Sequence, residues 1–549
     1  MIKRFSNIKG GYPLSEPKKQ NYLHGATILA AGIIIMKILG ALYKIPIGNI
    51  IGDEGYAHFL IAYNMYSVFL TLATAGLPVA LSRMICEAHT RGRIIQARRT
   101  FSVAWWTFLV LGVFCSIVMY LFPTELAAML NDVEAAQSIW ALSPAVLLVC
   151  LTSAYRGYCQ GRENMIPTTV GQVLEVLVKV VIGLALAWYL VRLGKSTPVA
   201  SAGAIFGVTA GGLAAFVYMF IYKKRNYPAA AVSAPDVPDS RGKILGDLLR
   251  IGIPITLGSS VLTLINLLDS GLSMGRLQSA AGVSYETAKV LYGVYGKAQT
   301  LYNLPPTFIT QLAISLVPAI SARMVMRDRL GAARIAENSM RISAIIALPM
   351  GVGLSVLAYP IMNVLYPNSN AAGPSLLFIL GIASFFVSMA ILMNAILQAH
   401  GNEIYPVYSM AAGGLVKIVI NWFLVARPEL NIVGAPIGTI GCYIVMCVMD
   451  YAFLCKCLER RPSLGKILLK PALSSAAMGV TAWAVYAGMS SLLGGPEMGR
   501  LQMAAAMAVS IFAAVIVYAF AVILTRAITA EDMKLIPKGD KLAKLLKIG

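Results

Sequence analysis

Charged residues are scarce in this chain, and hydrophobic residues are abundant. Of 549 residues only 13% are Asp, Glu, Lys or Arg, whereas 58% are hydrophobic. A water-soluble domain of this size needs more polar surface than this composition provides, so a membrane protein is the expected class. Apolar runs of about 20 residues, enough to cross the hydrocarbon core of a bilayer, recur along nearly the whole chain. The sequence therefore predicts an all-α polytopic membrane protein.

Patterns typical of metal sites, disulfides and enzymes are missing. The four histidines (His24, His58, His89 and His400) are scattered without metal-ligand spacing. The eight cysteines form no CxxC pair and lie mostly in apolar runs, where a thiol packs as a small hydrophobe. Neither a GxxxxGK[ST] phosphate loop nor a GxSxG elbow occurs. We expect no metal, no cofactor, no enzymatic activity and no transport driven by the chain's own ATP hydrolysis.

The apolar runs predict about fourteen transmembrane helices. Their approximate ranges are 22–43, 57–82, 101–122, 136–158, 165–190, 199–222, 245–273, 289–320, 341–363, 374–398, 404–425, 432–455, 471–493 and 501–526. Most Lys and Arg residues fall in alternate loops, on the same side as the basic N-terminal tail 1–21. By the positive-inside rule, the tails 1–21 and 527–549 are both cytoplasmic.

A net charge of +21 raises the question of a nucleic-acid partner. The basic residues lie in short loops facing the anionic leaflet, which accounts for the charge through membrane lipids. No folded domain interleaves basic and aromatic residues, so we expect no nucleic-acid partner.

The chain contains an internal repeat. The segment 77–84, LPVALSRM, recurs as VPAISARM at 317–324, and VKVVI at 178–182 recurs at nearly the same offset as VKIVI at 416–420. The repeat predicts two six-helix lobes, 22–222 and 245–455, joined by a cytoplasmic linker, 223–244, and followed by two extra helices in 471–526. Because six is even, both lobes enter the membrane in the same direction, as in other transporters built from parallel repeats.

Ionisable residues inside the predicted spans are the candidate functional groups. They are Lys37, Glu175, Lys179, Asp269, Lys297 and Lys417. A charge at the bilayer centre costs about 2.5–3.5 kcal/mol on insertion scales, so these side chains should face a wet cavity or pair with one another. Glu175 precedes Lys179 by one helical turn and could pair with it. Lys37 and Lys297 lack a local acid, and Asp269 could pair with either.

Cations outnumber anions among these six residues. A cavity with excess positive charge suits an anionic substrate such as a pyrophosphate, so Lys37, Lys179, Lys297 and Lys417 are the predicted substrate-binding residues. Glu175 and Asp269 are assigned either to ion coupling or to internal pairing. Pro305 and Pro306 interrupt a predicted helix and are candidate hinges.

The N-terminal helix pair resembles a known family. The residues that carry the likeness are KILG at 37–40, YKIP at 43–46, IGDEG at 51–55, AYNMY at 62–66 and LTLATAGLPVALS at 70–82. They resemble stage V sporulation protein B and related polysaccharide transporters, in the superfamily that includes the MurJ lipid II flippases and the multidrug and toxin extrusion exporters. The resemblance implies two lobes that open alternately to each side of the membrane.

The resemblance also implies a substrate. It indicates an undecaprenyl-pyrophosphate-linked saccharide such as lipid II, moved across a bacterial cytoplasmic membrane, and a role in peptidoglycan synthesis or sporulation. Apart from the resemblance, we expect a monomer, with a monovalent ion as the candidate coupling partner. Lys37 matches the place of a cavity arginine in the first helix of MurJ, and the helices in 471–526 match a pair proposed to hold the lipid tail. The alternatives are a multidrug or cation antiporter on the same scaffold, using Glu175 and Asp269, and a membrane scaffold for wall-synthesis enzymes.

Overall fold

The computed structural model describes residues 39–40, 43–227, 236–495 and 498–526. Within these ranges the chain consists of helices and connecting turns, without a β-strand. Thirteen helical segments there are long and apolar enough to cross a membrane. The remaining predicted span, 22–43, falls almost entirely outside the described residues, as does Lys37. The all-helical polytopic fold is confirmed.

Seventeen α-helices follow residue 50 in the described ranges. They are α1 (Gly52–Thr74), α2 (Leu77–Thr90), α3 (Ile94–Leu121), α4 (Pro123–Ala128), α5 (Ala136–Gly161), α6 (Ile166–Arg192), α7 (Thr197–Asn226), α8 (Arg241–Ser279), α9 (Tyr285–Tyr302), α10 (Leu304–Val325), α11 (Arg329–Val356), α12 (Ala358–Leu365), α13 (Gly373–Ala399), α14 (Ile404–Leu424), α15 (Gly434–Cys457), α16 (Leu464–Leu492) and α17 (Arg500–Leu524). Residues 43–50 are also helical.

The helices form two bundles. In the N-lobe (residues 43–50 with α1–α7), α7 packs against α5 and α6, and α5 packs against α3. In the C-lobe (α8–α15), α13 packs against α10, α11 and α15. Helix α16 lies on α11 and pairs with α17, so the two extra helices attach to the C-lobe. The domain limits 22–222 and 245–455 remain predictions.

The lobes meet mainly through α1. It packs against α8 and α9, whereas α10, the continuation of α9, packs against α11 and α13 of its own lobe. Gly293 of α9 lies against the backbone of Asp53, where a Cβ atom would collide with the Asp53 carbonyl. A larger residue there would push α9 away from α1. We name the end of the bundle that holds Glu54, Asp132 and Glu134 the acidic end, and the opposite end, with Arg91 and Arg327, the basic end.

Three predicted helices prove to be interrupted. The range 57–82 is divided at Ala75–Gly76, 289–320 at Asn303 and 341–363 at Leu357. Pro305 and Pro306 occupy the first turn of α10, where a missing backbone N–H leaves no helical hydrogen bond unmade. The hinge candidates therefore coincide with a real break, while their movement remains a prediction.

The start of α9 corrects one predicted helix boundary. The predicted range 289–320 makes Lys289 the first residue of its helix. Helix α9 instead begins at Tyr285, after Ser284 accepts a hydrogen bond from the Thr287 amide at its N-cap. Lys289 is consequently on the second turn of a helix and is 1% exposed.

Candidate functional site

A buried ion pair joins the two lobes at the acidic end. Lys297 of α9 donates from Nζ to Oδ1 of Asp53 in α1. Asp53 Oδ1 also accepts from Ser369 Oγ at 2.7 Å, and its Oδ2 accepts from the Asn370 amide at 2.9 Å. Three donors of the C-lobe thus converge on one N-lobe carboxylate. Such a contact holds this end closed, because separating the lobes would strand both charges.

A second cluster lies beside it, around the ammonium of Lys289. Its Nζ is 2.9 Å from Glu54 Oε1, 2.7 Å from Glu134 Oε2 and 2.9 Å from Glu286 Oε2. Glu54 and Glu134 belong to the N-lobe and Glu286 to the C-lobe. The lysine is buried, whereas these carboxylates reach the surface. The ammonium therefore fills the space between these carboxylates and links the two lobes.

A histidine backs this cluster. His58 of α1 is fully buried, and its Nδ1 lies 2.7 Å from Oδ2 of Asp132, which is also fully buried. Tyr285 of the C-lobe donates to Asp132 Oδ1 at 2.8 Å. The other ring nitrogen, Nε2, has no hydrogen-bond partner and lies 3.3 Å from Glu134 Oε2 and 3.8 Å from Glu54 Oε1. His58, Glu54 and Glu134 thus form a compact set of ligand atoms.

In the interior of the C-lobe, Lys417 is neutralised. Its Nζ lies 2.8 Å from Oδ2 of Asp269, and Asn421 donates to Oδ1 of the same carboxylate. All three side chains are buried. Of the alternatives for Asp269, the structure selects pairing, but with Lys417 rather than with Lys37 or Lys297. A neutral buried pair is not the free cation that we predicted at this position.

The interior of the N-lobe has a different arrangement. Glu175 accepts from Arg156 Nη2 at 2.6 Å, so the predicted pairing of Glu175 with Lys179 is wrong in this structure. Arg156 lies on α5, inside the predicted span 136–158, and α5 carries this guanidinium into the lobe. The ammonium of Lys179, half-buried on α6, lies 5.2 Å from the ring centroid of Tyr43 and 5.9 Å from that of Tyr63.

Smaller contacts continue along the interface between the lobes. Asn64 donates to Ser270 Oγ at 2.7 Å, and further on Thr71 Oγ1 lies 3.3 Å from Thr263 Oγ1. Both contacts involve hydroxyls or amides instead of charges, so less energy is required to break them than the ion pairs at the acidic end.

At the basic end, the segment 236–240 docks on the start of α3. Arg93 Nε donates to Asp236 Oδ1 at 3.1 Å, and the Gln96 amide donates to Oδ2 at 2.8 Å. These donors, with the amide of Gln96 first, hold the pKa of Asp236 below its ordinary value. The end of the predicted linker is therefore fastened to the N-lobe, while residues 228–235 lie outside the described ranges.

A cavity of about 680 Å³ opens at the basic end of the N-lobe. Its lining combines Arg98, Lys223 and Lys224 with aromatic rings, and Lys223 Nζ lies 3.6 Å from the ring centroid of Phe101. Basic and aromatic side chains together are typical of the region where lipid headgroups meet protein.

The predicted site residues are thus distributed over three places. Lys297 lies at the interface between the lobes, Lys417 with Asp269 inside the C-lobe, and Lys179 with Glu175 inside the N-lobe. They do not form one cluster in the described part of the chain. Sequence reasoning missed Asp53, Glu54, His58, Asp132 and Glu134, although the IGDEG segment, 51–55, was already noted for its resemblance.

Comparison with known proteins agrees with this architecture. Residues 22–324 match the model of the family described as "Polysaccharide biosynthesis protein". Among Bacillus subtilis proteins, the chain is 27% identical to the uncharacterized membrane protein YabM over 95% of this chain and 96% of the relative. It is 29% identical to stage V sporulation protein B, over 80% and 85%. It is 25% identical to the lipid II flippase MurJ, over 79% and 82%.

Solved structures show the same fold. A lipid II flippase MurJ in an inward closed conformation superposes with a TM-score of 0.66 at 13% identity, covering 91% of this chain and 99% of that one. An inward-facing multidrug resistance MATE transporter of the MOP superfamily gives 0.64 at 16% identity, covering 78% and 97%. Because the family model covers more than half of the sequence, the chain belongs to the polysaccharide biosynthesis protein family of multi-pass membrane transporters.

Proposed function

We propose that this protein is a flippase that moves an undecaprenyl-pyrophosphate-linked saccharide, lipid II or a related wall precursor, across the cytoplasmic membrane by alternating access. Family membership and the similarity to MurJ and stage V sporulation protein B support the substrate class. The mechanism rests on two buried lysines of α9, Lys289 and Lys297. Their ammonium groups form ion pairs with carboxylates of the N-lobe.

The lysine contacts act as a lock at the acidic end. We propose, from the positive-inside rule, that the basic end faces the cytoplasm, so that the lock closes the outer side. Separating the lobes there requires each cation to leave its carboxylates, and water or another ligand must then solvate both partners. The break between α9 and α10 at Asn303 is where the helix could bend during this change.

For the anionic headgroup, Lys179 is the described residue best suited to a contact. Its aromatic neighbours hold the ammonium without neutralising its charge, which leaves it available to a phosphate. Lys37 of the first predicted span is proposed as a second phosphate contact by resemblance alone. Lys417 is assigned to a structural role because Asp269 already compensates its charge.

The competing function, a cation antiporter, would use Glu175 and Asp269 as carriers. Both carboxylates pair with cations of their own lobe, Arg156 and Lys417. Each would first have to lose that cation before it could bind a proton or a monovalent ion. The pairing favours the flippase, and a coupling ion for it remains a proposal.

Proteoliposomes that contain fluorescent lipid II test the function directly. Protein-dependent exposure of the labelled headgroup in the opposite leaflet is expected for the wild type. Lys179→Gln should reduce the rate, and Lys195→Gln, which changes an exposed lysine, should not. Absence of headgroup exposure, together with efflux of a cationic dye, would contradict the flippase and favour the antiporter.

A further inference from the structure

The ion pairs of Lys289 and Lys297 do not by themselves explain how the residues around His58 are arranged. Glu54, His58 and Glu134 all belong to the N-lobe, and one ligand atom from each lies within 4.8 Å of the others. The side chains of Glu54 and Glu134 are 31% and 41% exposed, so the set borders the surface at the acidic end. We define these three residues as the cage.

The orientation of the imidazole is typical of a metal ligand. Asp132 binds His58 at Nδ1, which leaves Nε2 as the ring nitrogen that faces the cage. Nε2 is fully buried and has no hydrogen-bond donor among the described residues. Metal-ligating histidines commonly donate their other ring N–H to a carboxylate in this manner, which fixes the tautomer and makes the ligand more basic.

A cation already occupies the cage in this conformation. The Lys289 ammonium lies at hydrogen-bond distance from both glutamates, and it comes from the opposite lobe. When the lobes separate, the lysine must withdraw. The N-lobe would then retain three carboxylates, those of Glu54, Asp132 and Glu134, around the imidazole of His58, and would have lost the compensating charge of the lysine.

We propose that the cage is an external divalent-cation site, filled by Lys289 while the acidic end is closed and by a soluble metal ion while it is open. An imidazole nitrogen with two carboxylates suits Zn²⁺ or another divalent transition ion better than Na⁺ or K⁺. Zn²⁺ ligands lie about 2.0–2.2 Å from the ion, and the three ligand atoms of the cage already lie within 4.8 Å of one another. The ion and the lysine therefore compete, and the ion stabilises the open state.

The inference rests on the alternating access of the proposed function, but its binding test does not need transport. Lys289→Gln removes the tethered cation and should bind one Zn²⁺ at least tenfold more tightly than the wild type, measured by calorimetry on the full-length protein in detergent. Lys289→Arg keeps the charge and should bind as weakly as the wild type. Lys289→Gln combined with His58→Ala should lose the gain. Lys195→Gln is the matched control and should also bind like the wild type.

A second measurement covers the case in which Lys289→Gln fails to fold. Spin labels at Ala128 and Ala371, both exposed at the acidic end of the N-lobe and the C-lobe, would be placed in a background without the native cysteines. Zn²⁺ should lengthen the distance between the labels in the otherwise wild-type protein and leave it unchanged after His58→Ala.

Two results would overturn the proposal: Zn²⁺ binding by Lys289→Gln that is no tighter than by the wild type, or a label distance that does not respond to saturating Zn²⁺. Failure of lipid II flipping with intact Zn²⁺ binding would refute the proposed function instead and leave the cage as a metal site.

Discussion

Lys297 of α9 and Asp53 of α1 form a buried ion pair across the boundary between the two lobes. The tip of the α12–α13 connection adds Ser369 and Asn370 to the same carboxylate. Three residues from two segments of the C-lobe are thereby fastened to the first turn of one N-lobe helix. In a transporter whose lobes move as units, this contact must form and break in every cycle.

Weakening the ion pair between Lys297 and Asp53 should shift the equilibrium from a closed to an open acidic end. Asp53→Asn removes the charge while keeping the side chain's size, so Lys297 loses its counterion and the closed acidic end loses stability. We expect a larger open fraction, seen as a longer distance between spin labels at Ala128 and Ala371, and a flipping rate lowered about tenfold.

Asp328→Asn is the matched control for Asp53→Asn, since Asp328 pairs with Arg323 at the surface of the basic end. It should leave both the label distance and the flipping rate unchanged. An Asp53→Asn protein with an unchanged label distance would show that the pair does not lock the lobes.

The Lys417–Asp269 pair should contribute to stability rather than to substrate binding. Asp269→Asn leaves a buried ammonium without a counterion and should cost about 3–5 kcal/mol of unfolding free energy. The double variant Asp269→Asn with Lys417→Met removes the stranded charge and should regain most of that loss. Thermal unfolding in detergent, detected by the aggregation of unfolded protein, compares the stability of the single and the double variant with that of the wild type.

A direct contact between Lys417 and the substrate makes the opposite prediction for this double variant. It would then unfold like the wild type yet fail to flip lipid II. A fully active double variant would confine Lys417 to its structural role.

Lys179 should affect transport without affecting the fold. Its ammonium rests over Tyr43 and Tyr63, and such an interaction is worth about 0.5–2 kcal/mol. Lys179→Gln should therefore unfold within a few degrees of the wild type but flip lipid II at least tenfold more slowly. Lys179→Arg, which keeps the charge, should retain more activity than Lys179→Gln. Equal activity of all three proteins would remove Lys179 from the substrate path.

The docking of segment 236–240 on α3 should be lost only at acid pH. Because Arg93 and the Gln96 amide stabilise charged Asp236, its pKa is lower in the folded protein than in the unfolded chain. The resulting stabilisation is complete above the ordinary pKa of an aspartate, about 4, and disappears as the pH falls through the lower folded value.

A spin label at Val237, which is exposed beside this contact, tests the pH dependence. Its spectrum should remain that of an immobilised label from pH 8 to pH 5 and sharpen only below about pH 4. Asp236→Asn should already show the sharp spectrum at pH 7. A transition near neutral pH would assign the docking to another group.

The amino-acid sequence by itself determined the helical membrane fold, the two repeated halves and the alternate placement of basic loops. These features follow from local apolar runs of bilayer length and from charge counts, and both are properties of neighbouring residues. It also identified Lys179, Lys297 and Lys417 as unusual, because a charge inside an apolar run is costly wherever the run is placed.

Only the tertiary structure decided which charges meet. Asp53 and Lys297 lie on different lobes, and Glu175 pairs with Arg156 on a neighbouring helix instead of with Lys179 one turn away. His58 looked isolated along the chain because its partners, Asp132 and Glu134, lie in the loop between α4 and α5. Ion pairing is governed by distance in space, and the packing of helices sets that distance without leaving a periodic signal in the sequence.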